Sequence, residues 1–137
     1  MKIFNIIFII LFIVFAGLQY NDPDPYLWMP IYLYAALLCF LTLKNKFYPV
    51  TYYFGLLGYL GYAVYKIFDA NGIIDWITVH HEESLVQTMN AQKPWIEEAR
   101  EFFGLLICFM VLLINWMYYK RYKRKRKFRL PKNRFAR

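Results

Sequence analysis

Acidic residues are scarce in this 137-residue chain: there are nine, and only Asp22 and Asp24 occur before residue 69. Cysteine is scarcer still. Cys39 and Cys108 both fall within apolar stretches, without Cys-x-x-Cys spacing, which argues against a disulfide framework or a metal site. The sequence also lacks a nucleophile elbow, a glycine-rich phosphate loop and a haem-type histidine pair within an apolar stretch. No ionisable residue occupies the middle of an apolar stretch, which argues against a pump or an ion-coupled transporter.

Apolar residues dominate the chain instead, in four blocks. Hydrophobic residues make up 60% of it, more than is usual in a soluble domain. They are concentrated in residues 3–20, 26–43, 50–68 and 102–119. At a helical rise of about 1.5 Å per residue, each block reaches nearly the thickness of a bilayer core. The one charge within these blocks, Lys66, lies near an end, where its long side chain can extend to the lipid headgroups.

The blocks predict an all-α membrane protein with four transmembrane helices. We expect the first to be a retained span rather than a cleaved signal peptide. Residues 1–119 would form the transmembrane domain, residues 69–101 an outer connection within it, and residues 120–137 a basic tail. No helix breaker follows Pro94, so the last helix is expected to run from about Pro94 to about Lys125, extending beyond the membrane at both ends.

The distribution of basic residues predicts how the chain is oriented in the membrane. With four spans, the N-terminus, the loop at 44–49 and the tail lie on one side, which then holds Lys2, Lys44, Lys46 and eleven basic residues of the tail, but no acid. An excess of lysine and arginine marks the cytoplasmic side, so both termini are predicted to be cytoplasmic. Richness in isoleucine, lysine, asparagine and phenylalanine suggests an AT-rich bacterial genome. The predicted location is therefore the inner membrane of a bacterium.

A polar cluster is predicted at the outer end of the helices. Asp22 and Asp24 stand in a proline-stiffened turn after the first span, and Asp24 precedes Pro25, as the N-cap of the next helix would. Glu97, Arg100 and Glu101 can share one surface of the last helix. Arg100 is expected to be the one cation among these acids. The candidate residues are Gln19, Asn21, Asp22, Asp24, Glu97, Glu98, Arg100 and Glu101.

Two interpretations of this cluster are possible. It is a structural clamp that joins the first, second and fourth transmembrane helices, or it is a site for a lipid headgroup or a divalent cation, whose preferred ligands are oxygens. We favour the clamp, because an N-cap and an ion pair with Arg100 would leave few free ligands. No metal and no cofactor are predicted. The His80-His81-Glu82-Glu83 run is expected to be a solvated loop, because adjacent helical residues do not form a zinc face.

Small and aromatic residues indicate how the helices pack. Gly55, Gly58 and Gly61 recur every three residues in the third block, and Gly104 opens the fourth, so both are expected to allow close helix approach. Tyrosines of the third block, at 52, 59, 62 and 65, could hydrogen-bond between helices, and Asn115 of the fourth block is expected to do so. Trp28, with Tyr20 and Tyr26, is expected in an aromatic belt at the outer surface of the membrane.

The basic tail predicts contact with anionic lipids by charge, at about 1 kcal/mol per residue near the surface. The residues expected to make it are Lys120, Arg121, Lys123, Arg124, Lys125, Arg126 and Lys127. Contact with RNA through its phosphates is the alternative, but no motif supports it.

Two stretches resemble a known family. They run from Gln19 to Met29, with an Asn-Asp-Pro-Asp turn followed by Leu-Trp-Met, and from Glu97 to Ile107, with Glu-Glu-x-Arg-Glu-x-x-Gly. This pattern is similar to that of transmembrane family 220, small four-helix membrane proteins of bacteria and animals. The resemblance implies the four-span layout over nearly the whole chain and no particular reaction. The paired histidines and the long basic tail depart from the pattern.

The predicted function is that of a non-enzymatic accessory or scaffold subunit of a larger membrane complex, with other membrane proteins as partners. The helices are apolar on all sides and rich in aromatic residues, which provides surface for such partners. The alternative is a small lipid- or cation-binding protein, or a membrane enzyme, that uses the outer acidic site.

Overall fold

The computed structural model describes residues 1–22, 24–69, 72–79 and 94–129, with side chains up to residue 125. Most of these residues are helical, and none of them forms a strand. The helices are α1 (Lys2–Leu18), α2 (Pro25–Leu43), α3 (Pro49–Phe68), α4 (Ile73–Thr78) and α5 (Pro94–Arg129), with a 3₁₀ turn at Gln19–Asn21. The paired histidines and the end of the basic tail lie outside the described residues.

Proline sets the start of the three helices that follow a connection. Pro25, Pro49 and Pro94 each occupy the first helical position, where a missing N–H costs nothing and the fixed φ favours a helix. Helix α2 ends at a turn in which Asn45 has a positive φ of 57°. Its neighbour Lys46 donates its N–H to the carbonyl of Leu41 at 2.8 Å, as in a Schellman cap with asparagine in place of glycine.

Three of the described helical segments are long and apolar enough to cross a membrane: Lys2–Asn21, Pro25–Leu43 and Pro94–Lys125. Their length and composition indicate an all-helical membrane protein. Helix α3 is as long but less apolar, because five tyrosines and three glycines replace aliphatic residues. The predicted continuous last helix is confirmed and runs to Arg129.

The helices pack as two pairs. Helix α1 lies along α2, α3 lies along α5, and the pairs meet mainly between α2 and α5. The core holds large apolar side chains such as Phe12, Trp28 and Leu112 beside small ones such as Ala35, and all four are almost completely buried. Cys39 and Cys108 belong to this core as buried free thiols.

Tyrosine hydroxyls join α2 to α3. Tyr52 donates to the carbonyl of Leu38 at 2.8 Å, and Tyr59 donates to that of Ile31 at 2.7 Å, so two of the interhelical tyrosine bonds expected from the sequence are present. In a region without water each such bond satisfies a hydroxyl that would otherwise be costly to bury. The three glycines of α3 differ in how closely other helices approach them. A Cβ on Gly55 would lie 2.8 Å from Leu112, whereas Gly58 and Gly61 are exposed, with no atom within 4 Å of such a Cβ.

The predicted aromatic belt is wrong for Trp28. Tyr20 and Tyr26 are exposed, but only 1% of the Trp28 surface is accessible. Its ring stacks on that of Tyr62 at a centroid distance of 5.6 Å, which places it between α2 and α3. Burial of this large aromatic surface against another ring contributes to the stability of the bundle.

Candidate functional site at the outer end of the helices

One end of the bundle, which the sequence predicts to face outside and which we call the outer end, is formed by the turn after α1, the last turn of α3 and the first turns of α5. In the turn after α1, Asp22 donates its N–H to the carbonyl of Gln19 at 3.1 Å. Asp24 is the N-cap residue of α2, as predicted, and its backbone carbonyl accepts from Leu27 and Trp28. Its carboxylate makes no capping hydrogen bond, so the prediction that this side chain caps α2 is wrong.

Lys66 is the cation at the centre of this end. Its side chain is only 8% exposed, and its Nζ lies 2.6 Å from a carboxylate oxygen of Glu98. It also forms an ion pair with Glu101. One lysine from α3 thus binds two glutamates one turn apart on α5. The expectation that Arg100 is the one cation among the acids is wrong, and so is the expectation that Lys66 extends to the headgroups.

The groups that surround Lys66 explain why its side chain points into the bundle. Its Nζ lies 5.9 Å from the ring centroid of Trp28 and 5.6 Å from that of Tyr62, so two aromatic faces border it. A cation over an aromatic face is attracted by the ring quadrupole, and the attraction grows when water is excluded. The rings and the two carboxylates together compensate for the loss of hydration.

Arg100 interacts with acids other than the two that Lys66 binds. It interacts electrostatically with Asp22 and with Glu97, which joins the turn after α1 to the start of α5. Partial burial raises the pKa of Asp22 above its ordinary value; the positive charge of Arg100 acts in the opposite direction, and Asp24 raises the pKa slightly further. The negative charge of Asp22 is therefore, on balance, unfavourable in the folded protein.

A cleft of about 280 Å³ opens at this end between α1, α2 and α5, and we call it the outer cleft. Of the eight predicted residues, Gln19, Asp22, Glu97, Arg100 and Glu101 line it. Asn21 and Asp24 do not line it and are exposed, and Glu98 instead pairs with Lys66. The rest of the wall is apolar and includes Phe15, Leu18, Phe103 and Ile107.

Gly104 allows the close approach predicted for it. A Cβ at this position would collide with the hydroxyl of Tyr32, which packs directly on the backbone of α5. Tyr32 also lines the outer cleft. The glycine therefore lets a side chain of α2 cross the face of α5 immediately below the polar cluster.

A second polar contact, at the opposite end of the bundle, joins α1 to α5. Asn5 and Asn115 exchange two hydrogen bonds between their carboxamides, at 3.1 and 2.8 Å, and both residues are at least 99% buried. Sequence reasoning identified Asn115 as a helix-packing residue but missed Asn5. The signal was present, because Asn5 is a polar residue within an otherwise apolar helix that must find a partner.

The structure offers little to a metal ion at the outer end. Within the part of the chain that it describes, no three histidine, cysteine, aspartate or glutamate side chains converge as ligands. Two of the glutamates face Lys66, whose positive charge would repel a cation. The ion pairs of Lys66 hold α3 on α5, a contact that the predicted clamp of the first, second and fourth spans did not include.

Long apolar helices joined by buried polar contacts define this chain as a helical membrane protein. The family described as "Transmembrane family 220, helix" matches residues 11–117, more than three quarters of the sequence. The chain therefore belongs to transmembrane family 220. No curated protein and no solved structure matches it.

Proposed function

We propose that this protein is a non-enzymatic accessory or scaffold subunit of a larger membrane complex. The observation that carries the proposal is a groove of about 460 Å³ between α2 and α3, lined almost entirely by apolar and aromatic side chains. Tyr34 and Tyr59 form part of its wall, and their hydroxyls make hydrogen bonds that tie α2 to α3 at fixed points.

Gly58 makes this groove suitable for a helix. It lines the groove with open space above its backbone, and Gly61 is exposed one turn further along α3. Between transmembrane helices, small residues permit the close backbone approach on which association depends, because lipid provides no hydrophobic driving force. We therefore propose that the occupant is a transmembrane helix of another protein.

The proposal includes four spans and two cytoplasmic termini in the inner membrane of a bacterium. Helix α3 has 20 residues and would be about 30 Å long, enough to cross a bilayer core. Its charged residue Lys66 is paired internally with α5, which lowers the cost of placing it at membrane depth. The basic loop at 44–49 and the basic residues that begin at Lys120 then share the cytoplasmic side.

The alternative function is lipid binding at the outer cleft, which has charged residues at one end and an apolar wall. A headgroup could meet Arg100 and the acids while the acyl chain lies along Phe15 and Phe103. Divalent-cation binding has less support, since Glu98 and Glu101 are already engaged by Lys66.

Purification in a mild detergent distinguishes the two functions. A stoichiometric membrane-protein partner supports the subunit, whereas an isolated protomer with a tightly bound lipid or metal supports the alternative. Gly58 and Gly17 give a matched pair of variants, because both are exposed and neither has an atom within 4 Å of an added Cβ. Gly58→Leu should remove the partner, and Gly17→Leu should retain it. Equal retention by both variants would contradict the proposed groove.

A further inference from the structure

A second cavity lies at the inner end of the bundle, where α3 begins and the apolar part of α5 ends. Its volume is about 430 Å³, within the usual range for ligand sites. Phe47 and Pro49, before and at the start of α3, line it together with Trp116 and Tyr119 of α5. We call it the inner cavity.

The wall of the inner cavity is built from packed rings. Phe47 stacks on Tyr119 at a centroid distance of 3.9 Å and lies 5.9 Å from Trp116. Phe47 also stacks on the fully buried Tyr52, so the wall is continuous with the core. Such a wall is rigid and apolar, and it suits the hydrocarbon part of a ligand.

Three cations border this wall: Lys120, Lys123 and Arg124. Their spacing of three and four residues places them on one face of α5. The ammonium of Lys120 lies 5.0 Å from the ring centroid of Trp116, and that of Lys123 lies 5.9 Å from that of Tyr119. The aromatic faces thus orient two of the positive charges, and none of the acidic residues that the structure describes lines the cavity.

Two neighbouring cations do not take part. Arg121 and Lys125 are exposed on the same stretch of helix, but neither lines the inner cavity. If the basic segment acted by charge alone, as the sequence predicts, all five residues would contribute equally. The structure separates them into a group at the cavity and a group outside it.

We infer that the inner cavity is a saturable site for one anionic phospholipid. The lipid phosphate would accept charge-assisted hydrogen bonds from Lys120, Lys123 and Arg124, and the guanidinium of Arg124 can bind two phosphate oxygens at once. The first part of the acyl chains would lie on the wall formed by Phe47, Trp116 and Tyr119. This site is independent of any protein partner in the groove between α2 and α3.

The test compares two double variants of equal charge. Lys123→Gln/Arg124→Gln alters the cavity and Arg121→Gln/Lys125→Gln does not, yet each removes one lysine and one arginine. The full-length proteins are reconstituted in phosphatidylcholine nanodiscs with increasing phosphatidylglycerol, and bound anionic lipid is counted by native mass spectrometry. Thermal unfolding without phosphatidylglycerol verifies that both variants fold.

We expect wild type and the Arg121/Lys125 variant to bind one phosphatidylglycerol with similar affinity. The Lys123/Arg124 variant should bind it about tenfold more weakly or worse, a loss of about 1.4 kcal/mol or more. Equal weakening in both variants would reduce the effect to surface charge and overturn the inference, as would no weakening in either. Free glycerol phosphate should not compete at millimolar concentration; if it binds as well as the lipid, the site recognises a soluble phosphate instead.

Discussion

Replacing Lys66 by methionine should be among the most destabilising substitutions in the described part of this protein. Methionine retains most of the volume and apolar length of the lysine stem but removes its charge. Glu98 and Glu101 would then face each other and the rings of Trp28 and Tyr62 without a cation. Removing one partner of a buried ion pair costs about 3–5 kcal/mol, because the remaining charge is left uncompensated. The 8% exposure of the Lys66 side chain justifies the buried-pair value.

Thermal unfolding in detergent measures how much stability the Lys66→Met variant loses. For a chain of this size, about 3–5 kcal/mol corresponds to a decrease in Tm of roughly 10–20 °C. The triple variant Lys66→Met/Glu98→Gln/Glu101→Gln should recover much of the stability, because no charge is then left unpaired.

Arg100→Ala provides the comparison. Arg100 is more exposed than Lys66, so its ion pairs are better solvated and their loss should lower the Tm less. A Tm for Lys66→Met within about 2 °C of wild type, or a larger decrease for Arg100→Ala, would refute the assignment of Lys66 as the central cation.

Three further outcomes can be measured on the same preparation. Asn5→Leu or Asn115→Leu should each cost about 1–3 kcal/mol by leaving one buried carboxamide unpaired, and the double variant should cost less than their sum. Gly104→Ala should cost about 1–3 kcal/mol through its collision with Tyr32, while Gly17→Ala should be neutral or slightly stabilising. The pKa of Asp22 is higher in the folded protein than in the unfolded chain, so its negative charge opposes folding at neutral pH. This penalty disappears as the pH falls through the folded-state pKa and Asp22 is protonated. Asp22→Asn should therefore raise the Tm at neutral pH, and the gain should vanish in acid.

The sequence was most informative about where each helix begins and ends. Proline at the first helical position and runs of apolar residues are local signals. Pro25 and Pro94 start their helices in the structure as predicted, and Pro49 starts α3 one residue before the third apolar block. The length of α5 followed from the absence of a helix breaker after Pro94.

The rotation of each helix about its axis was much harder to predict. A helix that is apolar on all sides has no hydrophobic stripe to indicate its inner face. Trp28 was therefore predicted at the membrane surface, although it stacks on Tyr62 in the core. The partners of Lys66 also depended on this rotation, because Glu98 and Glu101 lie more than 30 residues further along the chain and reach it only when α3 packs on α5.

The isolated polar residues carried a signal for packing that was used only for Asn115. Asn5, Lys66 and Asn115 stand out in apolar helices, and all three are buried and paired in the structure. A polar group at membrane depth is costly without a partner, so each one predicts an interhelical contact even when its partner is unknown.

The central claim, that α3 crosses the membrane as the third of four spans, is tested most directly by topology. With four spans, residue 78 lies outside and Arg137 is cytoplasmic; with only α1, α2 and α5 crossing, residue 78 is cytoplasmic and Arg137 lies outside. Thr78 is exposed, and the native Cys39 and Cys108 are completely buried, so a Thr78→Cys variant offers one accessible thiol among the described residues. In intact cells this thiol should react with a membrane-impermeant maleimide, while a reporter fused after Arg137 should be active only in the cytoplasm. A protected thiol together with an external reporter would contradict the account.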